Sequence, residues 1–86
     1  MPYYFYFARC ADGSLYSGSC IDLQAREDRH NEGKGAKYTR SRRPVRIVYR
    51  EEFVTLTEAR RREAQAKTWS KVKKERLSQG KHPTKE

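Results

Sequence analysis

Residues 4–30 read YFYFARCADGSLYSGSCIDLQAREDRH, and most of the fold can be argued from them. Tyr4 to Cys10 is an aromatic run with no Gly or Pro and no charge before Arg9, the pattern of a strand covered on both faces. Ala11-Asp12-Gly13-Ser14 is a turn centred on Asp-Gly, and Leu15 to Ser19 is the returning strand, so the two make a β-hairpin. Asp22 then reads as an N-cap, its carboxylate accepting from the free N–H groups of a first helical turn. The helix runs to about Asn31, and Gly33 and Gly35 end it. Ile21, Leu23 and Ala25 give it a modest apolar side.

Beyond this segment, Lys34 to Arg43 reads as a basic loop closed by Pro44. Val45 to Phe53 sets Val45, Ile47 and Tyr49 against Arg46, Val48 and Arg50, a third strand. Thr55 or Thr57 caps a second helix rich in helix formers, with Ala59, Ala64, Ala66 and Trp69. Ser70 caps a third helical stretch, Lys71 to Gln79. The order is β-β-α-β-α-α, an α+β fold with a small sheet and helices on its faces. Residues 1–80 form one domain and residues 81–86 a disordered polar tail.

The chain has 86 residues, of which 35% are apolar. A domain of this size has a thin core and no room for a deep small-molecule pocket. Six Tyr, three Phe and Trp69 supply much of the area it can bury. The formal net charge of +9 calls for nucleic acid, an anionic membrane or an acidic protein as partner. No apolar run approaches the roughly 18–20 residues of a membrane span, and PYYFYFARC does not look like a signal peptide. Cys10 and Cys20 read as free thiols in a cytoplasmic protein, or as a pair facing across the hairpin. No Cys or His pair stands at metal-ligand spacing.

Asp22, Arg26 and His30 recur at four-residue intervals and so share one helix stripe. The strand before the helix can set Tyr16 beside that stripe, with Tyr6 as its neighbour across the hairpin. A guanidinium suits phosphate oxygens and offsets charge on a reacting phosphodiester. A phenol or imidazole can take a proton from water. Glu63, an acid inside Arg60-Arg61-Arg62-Glu63, is the candidate carboxylate for a divalent metal.

Each residue also has a plainer use. Tyr6 and Tyr16 suit a core with satisfied hydroxyls, and Arg26 can pair with Asp22. His30 suits a helix C-terminus, and Glu63 suits a surface ion pair. The basic stretches are the firmer signal. Lys34, Lys37, Arg40, Arg42 and Arg43 crowd around Tyr38, and Arg60 opens a second group that continues through Lys67, Lys71, Lys73, Lys74 and Arg76. Such a pattern attracts a phosphate backbone, and nothing in it reads base sequence.

Tyr4-Phe5-Tyr6, then Tyr16-Ser17-Gly18, then Arg26, His30 and a distant Glu63 resemble the GIY-YIG nuclease superfamily. The likeness is greatest to its small single-domain bacterial branch, UPF0213, on the segments CADGSLYSG, DLQAREDRHNEGKGAKYTRSRRPVRIVY and ARRREAQAK, and it extends over about residues 3–78. The resemblance implies a three-stranded antiparallel sheet flanked by helices and hydrolysis of a DNA phosphodiester with one Mg²⁺ or Mn²⁺. It implies that Tyr6 and Tyr16 are the motif tyrosines, with Tyr16 favoured as base, and that Gly18 lets the chain pass close to the site. Arg26 then contacts the scissile phosphate, His30 supports the water or a tyrosine, and Glu63 binds the metal.

Three positions depart from the superfamily pattern: Tyr4 replaces the first glycine, Ser19 stands where the excision-repair enzymes have lysine, and the late asparagine has no match. The expectation is a metal-dependent DNA endonuclease of repair or recombination, weakly specific or selective for branched or nicked DNA. Its own basic loop grips the DNA, or a protein partner supplies the substrate choice. The alternatives are a non-catalytic nucleic-acid-binding module of the same fold and a domain that docks an acidic protein.

Overall fold

The computed structural model describes residues 2–80; the tail expected at 81–86 lies outside the described residues. Three strands, β1 (Tyr3–Arg9), β2 (Leu15–Cys20) and β3 (Arg46–Phe53), form an antiparallel sheet in the order β2-β1-β3. Four helices complete the chain: α1 (Leu23–Asn31), the short α2 (Lys37–Arg40), α3 (Leu56–Lys67) and α4 (Lys71–Ser78). Among the described residues, no helix is long and apolar enough to cross a membrane.

The hairpin forms as its residues predict. Gly13 takes φ 87°, which a side chain would oppose, and Asp12 Oδ1 accepts from the Ser14 N–H at 3.0 Å. In the hairpin register Tyr4 faces Cys20 and Arg9 faces Leu15. The two cysteines therefore sit at opposite ends of the hairpin, both buried and unpaired, and the pairing across it is ruled out.

Alternation along β1 sends its side chains to two different cores. On one face Tyr6 and Ala8 join Cys10, Cys20 and Val45, with Tyr4, Tyr16, Leu23 and Ile47 around them. On the other, Phe5 and Phe7 join Ala66 and Leu77, with Leu15, Val48, Tyr49, Phe53 and Trp69 around them. Thus α1 and α2 cover the first face, and α3 and α4 cover the second.

The expected alternation of β3 breaks at one point. Phe7 pairs with Tyr49 and Ala8 with Ile47, so Val48 is an extra residue, a β-bulge. The bulge reverses the parity: Val45 and Ile47 pack on the α1 face, whereas Tyr49 packs with Phe5 and Phe7.

Helix α1 starts where expected, with Asp22 Oδ1 accepting from the Ala25 N–H at 3.0 Å. It ends in a Schellman turn: Gly33 has φ 79°, its N–H bonds to His30 O, and the Lys34 N–H bonds to Arg29 O. The packing stripe differs from the expected one. Ile21 and Ala25 are exposed, and the inward side is Leu23, Arg26, Glu27 and His30.

Polar groups therefore dock this helix. Asn31 bonds both the N–H and the C=O of Val45, at 2.6 and 2.8 Å, and Glu27 accepts from the Ile47 N–H at 2.8 Å. An apolar stripe is unnecessary where side chains satisfy the strand's free backbone groups.

Helix α3 is capped by Thr55 in a capping box with Glu58, and α4 by Ser70. Arg62 ties α3 to β3 through both oxygens of Glu51, at 2.8 and 3.1 Å, and lies over the Trp69 ring. Arg9 binds Glu75 of α4 through two hydrogen bonds. The segment read as a basic loop contains α2, because Thr39 turns inward and is fully buried.

Candidate active site

The site gathers at the β2 side of the sheet. Tyr6, on the central strand, is 1% exposed, and its hydroxyl lies 2.8 Å from His30 Nε2. His30 is equally buried, and its Nδ1 lies 2.9 Å from Thr39 Oγ1. Thr39 Oγ1 in turn donates to Ala36 O at 2.9 Å.

These bonds assign the protons. The threonine hydroxyl has one hydrogen, and it goes to the Ala36 carbonyl, so Thr39 accepts from His30 Nδ1–H. His30 Nε2 is then the bare nitrogen, and the Tyr6 hydroxyl donates to it. Burial lowers the His30 pKa, and the field of Arg26 lowers it further, in keeping with a neutral ring. Burial likewise pushes the Tyr6 phenol well above the usual tyrosine range; Tyr16 adds to the shift and Arg26 opposes it.

Two glycines make room for this chain of bonds. A Cβ on Gly18 meets the Tyr6 hydroxyl at 2.5 Å, and a Cβ on Gly35 meets His30 Nδ1 at 2.3 Å. Both distances are far inside van der Waals contact, so neither position tolerates a side chain without displacing the ring it touches.

Tyr16 is half-buried beside them. Its ring stands edge-on to His30 at 5.4 Å and 6.4 Å from the Tyr6 ring. It also stacks on Tyr38 of α2 at 6.0 Å, and Arg42 lies 3.9 Å from the Tyr38 ring centre. Arg26 is half-buried on α1 and lines a shallow cavity of about 250 Å³ with Cys20, Asp22 and Arg29. The expected Asp22 partner is engaged with the helix N-terminus, and among the described residues Arg26 makes no ion pair. Its field nevertheless reaches both Tyr6 and His30.

Glu63 comes from α3, which covers the opposite face, yet its carboxylate lies at β2. Oε1 accepts from the Ser19 hydroxyl at 2.8 Å, Oε2 pairs with Lys67 at 2.7 Å, and its field reaches Tyr6. Tyr6, Tyr16 and His30 thus form one cluster, and the charges of Arg26 and Glu63 reach its Tyr6 phenol without a hydrogen bond to it among the described residues.

The donor set suits a hard divalent cation. It offers one carboxylate, 19% exposed and held by a serine, with an ammonium already standing on its free oxygen as a cation does. No group of three His, Cys, Asp or Glu gathers among the described residues. A cation held there would need water and phosphate to complete its shell, as Mg²⁺ commonly accepts.

The basic residues divide. Lys34, Lys37, Arg40 and Arg60 are exposed and make no ion pair among the described residues, and Tyr38 is 39% exposed. Arg42 and Arg43 are tied into the fold. Arg42 pairs with Asp12 at 3.0 Å and donates to Tyr38 O. Arg43 donates to Arg40 O and Asn31 O, crossing the end of α1.

Sequence reasoning passed over Thr39 and the packing role of Gly35. Gly35 carried a signal, since α1 needs one terminating glycine and Gly33 already serves. Thr39 gave none, because a residue in an apparent loop is expected to face water.

Comparison with known proteins gives the family and the fold. The GIY-YIG catalytic domain family model matches residues 2–76. A UPF0213 protein of Bacillus pumilus is 56% identical over 73 residues, covering 85% of this chain and 74% of its own. A UPF0213 protein of Staphylococcus aureus is 49% identical over 75 residues, covering 87% and 92%. Among solved structures, the solution NMR structure of a UPF0213 protein of Bacillus halodurans superposes with a TM-score of 0.57 at 45% identity, over 90% of this chain and 82% of that one. A solution NMR structure from E. faecalis gives 0.62 at 40% identity, over 93% and 85%. With the family model matching nearly the whole chain, and with relatives about half identical over most of its length, this protein belongs to the GIY-YIG family, in its UPF0213 group.

Proposed function

We propose that this protein is an endonuclease that hydrolyses DNA phosphodiester bonds with the help of one divalent metal ion at Glu63. The observation that carries the reading is the convergence, on a buried Tyr6 phenol beside the half-exposed Tyr16, of the hydrogen bond to His30 and the charges of Arg26 and Glu63. A merely cationic binding surface needs no such convergence.

The residues divide the work by their exposure. Tyr6 donates a hydrogen bond to His30 and is closed off from solvent, so it fixes the imidazole rather than meeting water. Tyr16 is the phenol open to an attacking water; as the phenolate, its own proton having passed to solvent, it takes the proton of that water. His30, edge-on to Tyr16, holds that ring in place. Arg26 offsets charge as it builds on the phosphate. When bound at Glu63, Mg²⁺ or Mn²⁺ supplies charge stabilisation at the scissile phosphate and the leaving oxygen.

Lys37 and Arg40 on α2 and Arg60 on α3, with Lys34 beside α1, grip the DNA backbone; Arg42 and Arg43 hold the α2 segment that presents Tyr38. Contacts of this kind read shape rather than sequence. Branched or nicked DNA, met in repair or recombination, is the substrate we favour, with a protein partner refining the choice.

The test is cleavage of supercoiled plasmid and of branched duplexes, with Mg²⁺ or Mn²⁺, by the wild type beside Glu63→Gln and Arg26→Ala. Each substitution should reduce the rate by about 10²-fold or more. Equal rates in all three proteins would sink the assignment. One observation favours a second reading, the non-catalytic module: both oxygens of Glu63 are already engaged, by Ser19 and Lys67. Salt-dependent DNA binding in chelator, with no cleavage in any metal, would establish it.

A further inference from the structure

The ion pair between Glu63 and Lys67 bears on how a metal reaches the site. Lys67 lies one helical turn beyond Glu63 on α3, and its Nζ stands 2.7 Å from Oε2. The two members differ in exposure: the carboxylate side chain is 19% exposed and the ammonium side chain 53%. The carboxylate is also held from the other side by Ser19. The acid is thus fixed, and the base reaches it from solvent. An ion pair between helix neighbours with one partner half in water is weak and readily broken.

Lys67 also feels the Tyr16 phenol, and Tyr6 feels Glu63. The ammonium is therefore bonded to the acid and within electrostatic reach of Tyr16.

Resting on the reading of Glu63 as the metal ligand, we propose that Lys67 is a displaceable counter-ion: it holds the metal position in the free protein and yields Glu63 when a divalent cation enters with the nucleic acid, its freed ammonium passing to a phosphate oxygen. Glu63 then stays charge-compensated in both states, and its carboxylate is kept in one orientation for the incoming cation. A site with a single carboxylate has little hold on a cation before a phosphate completes the shell. The lysine lowers that hold further, so metal is retained chiefly where substrate is present.

The experiment is binding of Mn²⁺ alone to the intact protein, without DNA. It is followed by titration and by paramagnetic broadening of the amide signals around residue 63, for wild type, Lys67→Gln, Lys67→Arg and Glu63→Gln. Lys67→Gln should bind Mn²⁺ about tenfold more tightly than wild type, the effect of removing one positive charge beside a dication near the surface. Lys67→Arg should stay near wild type. Lys67 is half-exposed, so Lys67→Gln is expected to fold, and its amide spectrum away from α3 verifies this.

Equal affinity in wild type and Lys67→Gln, with binding still lost in Glu63→Gln, would overturn the counter-ion role and leave Glu63 as ligand. Broadening that is unaltered by Glu63→Gln, or absent near residue 63 in every variant, would overturn the metal assignment of Glu63 and the counter-ion role with it.

Discussion

Neighbouring residues of β1 face two unlike environments. Phe5 and Phe7 enter a core of rings and aliphatic groups, with centroids 5.0 Å apart and edge-to-face packing onto each other. Tyr6, between them in the chain, enters a face where its hydroxyl is bonded to a buried histidine, that histidine to a buried threonine, and the threonine to a carbonyl. The α3–α4 face has polar groups too, but they lie toward its edge: Arg62 with Glu51, and Arg9 with Glu75. They join elements. On the α1 face the polar groups occupy the interior, where an apolar residue of similar volume would serve stability as well or better. The contrast separates what holds this small domain together from the face on which the proposed chemistry lies.

The largest break in the comparison should come from the dry side. Phe7→Ala removes a fully buried ring from beneath α3 and α4 and should cost about 3–5 kcal/mol. A domain of this size has little more than that to lose, so urea denaturation should find the variant mostly unfolded. A folded, stable Phe7→Ala protein would mean that this face is not the stabilising one.

Next comes Gly35→Ala. The added methyl falls 2.3 Å from His30 Nδ1 and 3.0 Å from its Cα, so both ring and backbone must shift. Stability should drop by about 1–3 kcal/mol, and the His30 ring signals should move in the NMR spectrum. An unmoved ring would contradict the packing described.

Tyr6→Phe sharpens the contrast most. The ring stays packed and only the donor to His30 is lost, at about 1–2 kcal/mol for an acceptor left unsatisfied. The expected result is a folded protein with a modest shift in its urea midpoint and a far greater loss of DNA cleavage. A loss of cleavage no greater than the loss of folded protein would make Tyr6 structural only.

The smallest effect concerns pH. The His30 pKa lies below its ordinary value of 6.5 because burial disfavours the charged ring. Between the folded value and 6.5 the unfolded chain binds more protons, so stability rises with pH through that window. It is fully present above about 6.5 and is lost on acidification. Urea midpoints compared from about pH 7.5 down to about 5.5 should fall in the wild type and stay flat in His30→Gln. A wild-type midpoint that does not change would mean that His30 is not held neutral.

Much of this was legible in the residues. The hairpin, the Asp22, Thr55 and Ser70 caps and the Gly33 terminator are local, and local chemistry predicts them. The clustering of Tyr6, Tyr16 and His30 was legible from spacing together with resemblance to a nuclease superfamily. Three features were not. The Val48 bulge moves Tyr49 to the opposite face from Ile47, and no alternation pattern announces the extra residue. The inward side of α1 is polar because Asn31 and Glu27 bond to β3, so a search for an apolar stripe chose the exposed side. Thr39 sits inside a basic run, and only packing against His30 turns it inward.

The order of elements, the strong positive charge and the types of side chain available for phosphate chemistry follow from the residues alone, since each depends on near neighbours or on composition. The assignment of protons along Tyr6, His30 and Thr39, and the arrival of Glu63 at β2 in the grip of Ser19 and Lys67, belong to the folded chain. Those groups lie 24, 9 and 44 residues apart, and no local preference specifies contacts over such separations. The sheet register and the helices packed on both faces bring them together.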